Sequence, residues 1–184
     1  MNVTVFLSSR DGKNPIYKDT SEKLGILLAK SGHTLVYGGS EEGCMGMVSD
    51  AVIRHQGKVI AVYPDGILPL EPPRQNASQL YLTSGMDERK RKLIDLGEAF
   101  VILAGGFGTM EESFQLLTEM SINQTAVRPV IFVGRKFYQP LFDLLRLLLK
   151  EGMISKEVID AISLVDTAEE TIELLGDLKL EQVV

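Results

Sequence analysis

The stretch AFVILAGGFGTMEE, residues 99–112, gathers residue types that handle anions and protons. Gly105, Gly106 and Gly108 carry no side chain, so an oxygen the size of a phosphate's can approach their backbone amides. Thr109 adds a hydroxyl at the head of a helix, where free first-turn amides favour negative charge. Glu111 and Glu112 then stand where a phosphate alone would not want them. The combination suits a site that binds an anion and also uses a carboxylate in its chemistry. A structural reading of the same residues stays open beside it. Thr109 and Glu112 spell the T-x-x-E of a capping box, and Glu111 complements the helix dipole.

Two other turns offer compatible groups. Ser8-Ser9 closes one apolar run and supplies hydroxyls, and Gly38-Gly39 closes another. The basic run Arg89-Lys90-Arg91-Lys92 lies in a helical stretch, where four consecutive residues spread around all sides. One or two of these cations can reach a ligand while the others make a solvated face. His33 and His55 each follow a helical stretch, where a cation suits the negative end of the dipole. Familiar nucleotide motifs fail. A G-x-G-x-x-G run from Gly106 would need glycine at Glu111, and a Walker loop from Gly38 meets Cys44-Met45 in place of Lys-Ser/Thr. The single cysteine excludes an internal disulfide, and no Cys/His spacing makes a metal site.

The elements that must position these groups alternate along the chain. Strands are expected at Val3–Leu7, Thr34–Tyr37, Lys58–Tyr63, Gln79–Thr83, Phe100–Ala104, Pro129–Val133 and Ile162–Val165. Helices are expected at Tyr17–Lys30, Cys44–Gln56, from Met86 after a Ser84 cap, Met110–Ile122, Tyr138–Lys150, near Lys156, and Ala168–Leu175. Between Pro64 and Ser78 a Pro-rich, polar stretch reads as a surface loop near the ligand. The pattern predicts an α/β protein, a single doubly wound, Rossmann-like parallel sheet with helices on both faces. Residues 1–176 form its one domain, and 177–184 a tail free to fray. Ligands of such sheets sit at the carboxyl ends of the strands, so the three turns are expected to converge.

Composition narrows the partners. A net charge of −6 argues against nucleic acid, which needs a basic stripe, and leaves small nucleotides open. The start MNVTVFLSS enters a strand without a charged leader, and the Leu-rich run 141–149 is too short for a bilayer. A cytoplasmic protein without membrane contact is expected.

MDERK at 86–90, followed by AGGFGTMEE at 104–112, resembles the paired signature of the LOG (lonely guy) family, M-x-x-R-K and P-G-G-x-G-T-x-x-E. The Ser-Ser strand end, YGGSEEGCMG, VYPDGIL and Arg128-Pro129 recur in the family order, so the resemblance covers most of the chain. It implies hydrolysis of the N-glycosidic bond of a nucleoside 5′-monophosphate, a cytokinin ribotide or AMP-like, to free base and ribose 5-phosphate. Arg89 and Glu112 are then the catalytic pair. Lys90 and Gly106 to Thr109 contact substrate, Glu71 and Thr118 fall at further contact positions, and Gly38, Gly39, Ser8 and Gly105 complete the pocket. The resemblance also implies a homodimer with the site near its interface. No cofactor is required, and pyridoxal chemistry finds no lysine with a phosphate cup and pyridine partner. Asp87, Ala104 and Ser40 depart from the family's His, Pro and Gly, and Glu41-Glu42 follow the last. Acidic residues beside a phosphate pocket repel substrate unless they turn to solvent. The rival expectation is a non-enzymatic carrier of a phosphorylated ligand, because molybdenum-cofactor carriers share the fold and the phosphate turns.

Overall fold

Runs that are apolar at every position, such as Ala99–Ile102 and Val130–Val133, are satisfied only where both faces of a sheet are covered. The computed structural model describes residues 1–65 and 73–181, with side chains of the last helix as far as residue 177. Among these residues the strands are β1 (Asn2–Phe6), β2 (Thr34–Tyr37), β3 (Lys58–Pro64), β4 (Gln79–Thr83), β5 (Ala99–Ile102), β6 (Val130–Val133) and β7 (Ile162–Val165). The helices are α1 (Ile16–Lys30), α2 (Gly43–Arg54), α3 (Met86–Leu96), α4 (Phe107–Ser121), α5 (Arg135–Lys150), α6 (Lys156–Asp160) and α7 (Ala168–Glu181). One sheet runs in the order β4-β3-β2-β1-β5-β6-β7, with every pairing parallel. This is the expected doubly wound α/β fold.

Period-two alternation divides the core between two layers. Val3, Val5 and Leu7 face a cluster with Leu24 and Leu28 of α1, Val48 and Val52 of α2, and Leu175 of α7. Phe6, Phe100, Ile102 and Phe132 face the other side, against Leu93 and Ile94 of α3, Leu116 and Met120 of α4, Tyr138 of α5 and Val158 of α6. Thr4 sits among the second set and donates its hydroxyl to the Leu93 carbonyl at 2.9 Å, which ties α3 to the central strand. The chain winds from β1 outward to β4, then returns to lay β5 against the other edge of β1. That reversal opens a crevice between the carboxyl ends of β1 and β5. No described helix is long and apolar enough to cross a membrane.

Element ends differ from expectation in physically readable ways. Helix α4 begins at Phe107 with Gly106 as its N-cap, three residues before Met110, and no side chain caps it. Thr109 is therefore inside the first turn, and Glu112 lies too deep in the helix to reach back, so the capping box does not form. Gly85, not Ser84, caps α3, while Glu88 reaches back to accept from both the amide and hydroxyl of Ser84 at 2.7 Å. Helix α7 continues past Gly176 to Glu181 rather than ending near Leu175.

Candidate active site

Two of the three expected turns, Ser8-Ser9 and Gly105-Gly106, meet in one cleft, whereas Gly38 and Gly39 are not among its lining residues and Gly38 is tied to it through Arg89. This cleft of 670 Å³ over the β1/β5 crevice is lined by Leu7 to Arg10 after β1, Met45 at the start of α2, Met86 and Arg89 of α3, and the continuous run Gly105–Glu112. Ser8 ties two of its walls together. Its carbonyl accepts from Met45 N at 3.2 Å, and its hydroxyl accepts from Arg10 N at 2.9 Å. At the head of α4 the first-turn amides have no acceptor within the helix and are free for a ligand. Close packing explains the first glycine of that turn, because a Cβ at Gly105 would collide with the side chain of buried Thr109.

Arg89 and Glu112 form the centre of the site. Both are nearly buried, at 6% and 5% exposure, and Arg89 Nη1 donates to Glu112 Oε1 at 2.9 Å. The guanidinium also donates through Nε to the Val62 carbonyl of β3 at 3.2 Å and through Nη2 to the Gly38 carbonyl beyond β2 at 3.3 Å. One side chain thus joins three elements around the cleft. Burial pushes the Glu112 carboxyl above the usual carboxylate range, against the lowering effect of Arg89. The carboxylate is held in a place where proton affinity is raised and a positive partner is fixed.

Gly38 is dictated by the same group, since a Cβ there would run into the Arg89 guanidinium. Gly38→Ala is expected to lower stability by about 1–3 kcal/mol through overpacking, read as a reduced urea midpoint with an unchanged m-value. Gly39 takes φ +82, and its carbonyl accepts from Arg74 N at 3.2 Å. Arg74, itself buried, pairs with Asp50 at 2.6 Å and lies 3.7 Å from Glu41. Glu41 and Glu42 are exposed and stand outside the lining of the cleft, so the acidic pair turns to solvent as the repulsion argument requires.

The remaining cations of the basic run have partners of their own. Lys90 Nζ lies 2.6 Å from Glu111 and 3.5 Å from Asp87, and Arg91 lies 2.7 Å from Glu119. Lys92 sits 4.3 Å over the Tyr81 ring. Lys90 is therefore beside the cleft wall rather than among the residues that line it. Thr118 is exposed further down α4, donates to the Phe114 carbonyl at 2.7 Å, and borders a separate apolar groove with Leu117 and Leu148. Glu71 and much of the expected loop lie outside the described residues. His55 follows α2, with Nδ1 2.9 Å from the Ala51 carbonyl, and neither histidine lines the cleft. Arg10, Met45 and Met86 do line it, although none of them was expected among the site residues: Met86 and Met45 entered only as members of motifs, and Arg10 not at all.

A parallel doubly wound sheet with a glycine turn and a buried Arg–Glu pair at its switch point defines a Rossmann-like small-ligand protein. Residues 45–175 match the family model described as possible lysine decarboxylase. Over 184 residues the chain is 33% identical to the cytokinin riboside 5′-monophosphate phosphoribohydrolase LOG of Oryza sativa subsp. japonica, covering 99% of this chain and 73% of that protein. It is 32% identical to the cytokinin riboside 5′-monophosphate phosphoribohydrolase of Rhodococcoides fascians, covering 84% and 78%. The chain belongs to this family, the LOG family. Solved structures show the fold again: the molybdenum cofactor carrier protein of Chlamydomonas reinhardtii superposes with a TM-score of 0.73 at 17% identity, covering 97% and 98%. The molybdenum cofactor binding protein of Rippkaea orientalis does so at 0.70 and 20%, covering 96% and 94%.

Proposed function

We propose that this protein hydrolyses the N-glycosidic bond of a nucleoside 5′-monophosphate, of the AMP or cytokinin ribotide type, releasing free base and ribose 5-phosphate. The observation that carries this reading is the buried Arg89–Glu112 pair at 2.9 Å, set against the glycine turn at the head of α4. The first-turn amides and Thr109 receive the phosphate, which sets the ribose over Glu112. As the C1′–N bond lengthens, positive charge grows on the sugar, and the Glu112 carboxylate stabilises it. Water adds to C1′ and passes its proton to Glu112, the departing base nitrogen takes a proton from solvent water, and Glu112 then returns its proton to solvent, so that one water is consumed overall. Arg89 occupies Oε1 of Glu112, orients the other oxygen toward the sugar, and balances the carboxylate's charge. Lys90 pairs with Glu111 at 2.6 Å and offsets its charge beside the cleft. No metal or organic cofactor enters this scheme.

We place the enzyme in the cytoplasm as a homodimer. Exposed Phe114 on α4 and Ile122 at its C-cap, beside the apolar groove of 170 Å³, support a partner surface on the helix that carries Glu112, and that surface would include Thr118. Incubation with AMP and with N6-isopentenyl-AMP, followed by chromatography, is expected to yield adenine and the N6-substituted base with equimolar ribose 5-phosphate. AMP bound without cleavage would overturn the hydrolase and move the reading to a carrier of a phosphorylated ligand.

A further inference from the structure

An anionic substrate approaching the cleft meets Glu111 and Glu112 on a protein of net charge −6. The cations of α3 are already engaged, Arg89 on Glu112, Lys90 on Glu111, Arg91 on Glu119 and Lys92 over the Tyr81 ring. Arg10 differs from all of them. It is exposed, it lines the cleft, and it forms no ion pair with any described residue. Its neighbour Asp11, the nearest competitor in sequence, is engaged by Lys18 at 3.2 Å.

Position strengthens the case. The cleft passes into a smaller pocket of 180 Å³ that reaches Tyr17 and Phe137, and the two share Ser8, Arg10 and Gly105. Arg10 therefore borders the same space as Gly105, the first glycine of the phosphate turn, on a backbone bend fixed by the hydrogen bond its amide N–H donates to Ser8 Oγ. A guanidinium presents paired donors that match two phosphate oxygens, which backbone amides from one side alone do not supply. We infer that Arg10 is the cation that binds the substrate's 5′-phosphate, clamping it against the glycine turn. The inference rests on the hydrolase reading above and adds to it a requirement for the phosphate. A nucleoside lacking that group leaves Arg10 without a partner and gains nothing from it.

Steady-state hydrolysis of AMP by Arg10→Gln and Arg10→Lys tests the assignment, together with melting curves in ribose 5-phosphate. Arg10→Gln is expected to raise KM by about ten- to hundredfold with much less change in kcat, because the bond is made equally in ground and transition states. The melting shift that ribose 5-phosphate gives the wild type should be largely lost, and Arg10→Lys should recover part of both. Inhibition of AMP hydrolysis by adenosine should keep its strength in all three proteins. A wild-type KM and melting shift in Arg10→Gln would overturn the assignment, as would equal weakening of adenosine inhibition. Should wild type release no base at all, the hydrolase reading fails, and the ribose 5-phosphate melting shift still decides Arg10 alone.

Discussion

Glu112→Gln is expected to lose base release by about 10²- to 10⁴-fold in kcat while nucleotide binding survives. The amide can still accept from Arg89, so the geometry is kept and only the charge and basicity go. Acid should imitate the substitution. Because burial raises the Glu112 pKa, the carboxylate is protonated at a pH above the value of about 4.3 that a free glutamate shows. Activity is then full above the raised pKa and falls about tenfold per pH unit below it. Measured as kcat/KM against pH, the acid limb should lie above the ordinary glutamate range in wild type and vanish from the residual activity of Glu112→Gln. An acid limb at the free-glutamate position in wild type would remove Glu112 from the chemistry.

Arg89→Met is expected to damage folding as well as catalysis. Removing one partner of a buried ion pair leaves an uncompensated charge, at a cost of about 3–5 kcal/mol. The Val62 and Gly38 carbonyls lose their donors in the same step. For a chain of this size that corresponds to a melting temperature lower by roughly 6–20 °C. The double variant Arg89→Met with Glu112→Leu should melt well above Arg89→Met alone, since no charge then remains buried. Both variants should be inactive. Equal melting of the single and double variants would mean that the pair carries no coupling.

The layered sheet was legible because its signals are local. Buried strands such as Phe100–Ile102 and Val130–Val133 are apolar throughout, and glycine or hydroxyl residues follow the strands whose ends meet at the cleft. The chemistry was legible only in part. Glu112 stood in a capping spacing, but α4 starts three residues earlier than expected, with Gly106 as its N-cap, so Glu112 sits inside the helix and turns to Arg89 instead. In the basic run, a helical wheel alone does not reveal which cation turns inward. The choice falls to Arg89 because the carbonyls of Val62 and Gly38, 27 and 51 residues away in sequence, converge on it. Arg10 left no local signal at all. Its importance comes from the lack of an ion-pair partner and from the cavities around it, both properties of the assembled fold.

The strand order has a mechanical side. From β1 to β4 each strand pairs with its neighbour in sequence, and so do β5 to β7; only β1–β5 joins the two halves. Contacts across that single junction therefore carry the mechanical continuity of the sheet. Arg89 is one of them: it belongs to α3 of the first half, holds the Val62 and Gly38 carbonyls of that half, and grips Glu112 on α4 beyond β5. The ion pair that serves the cleft is thus also a rivet across the seam between the two halves of the sheet.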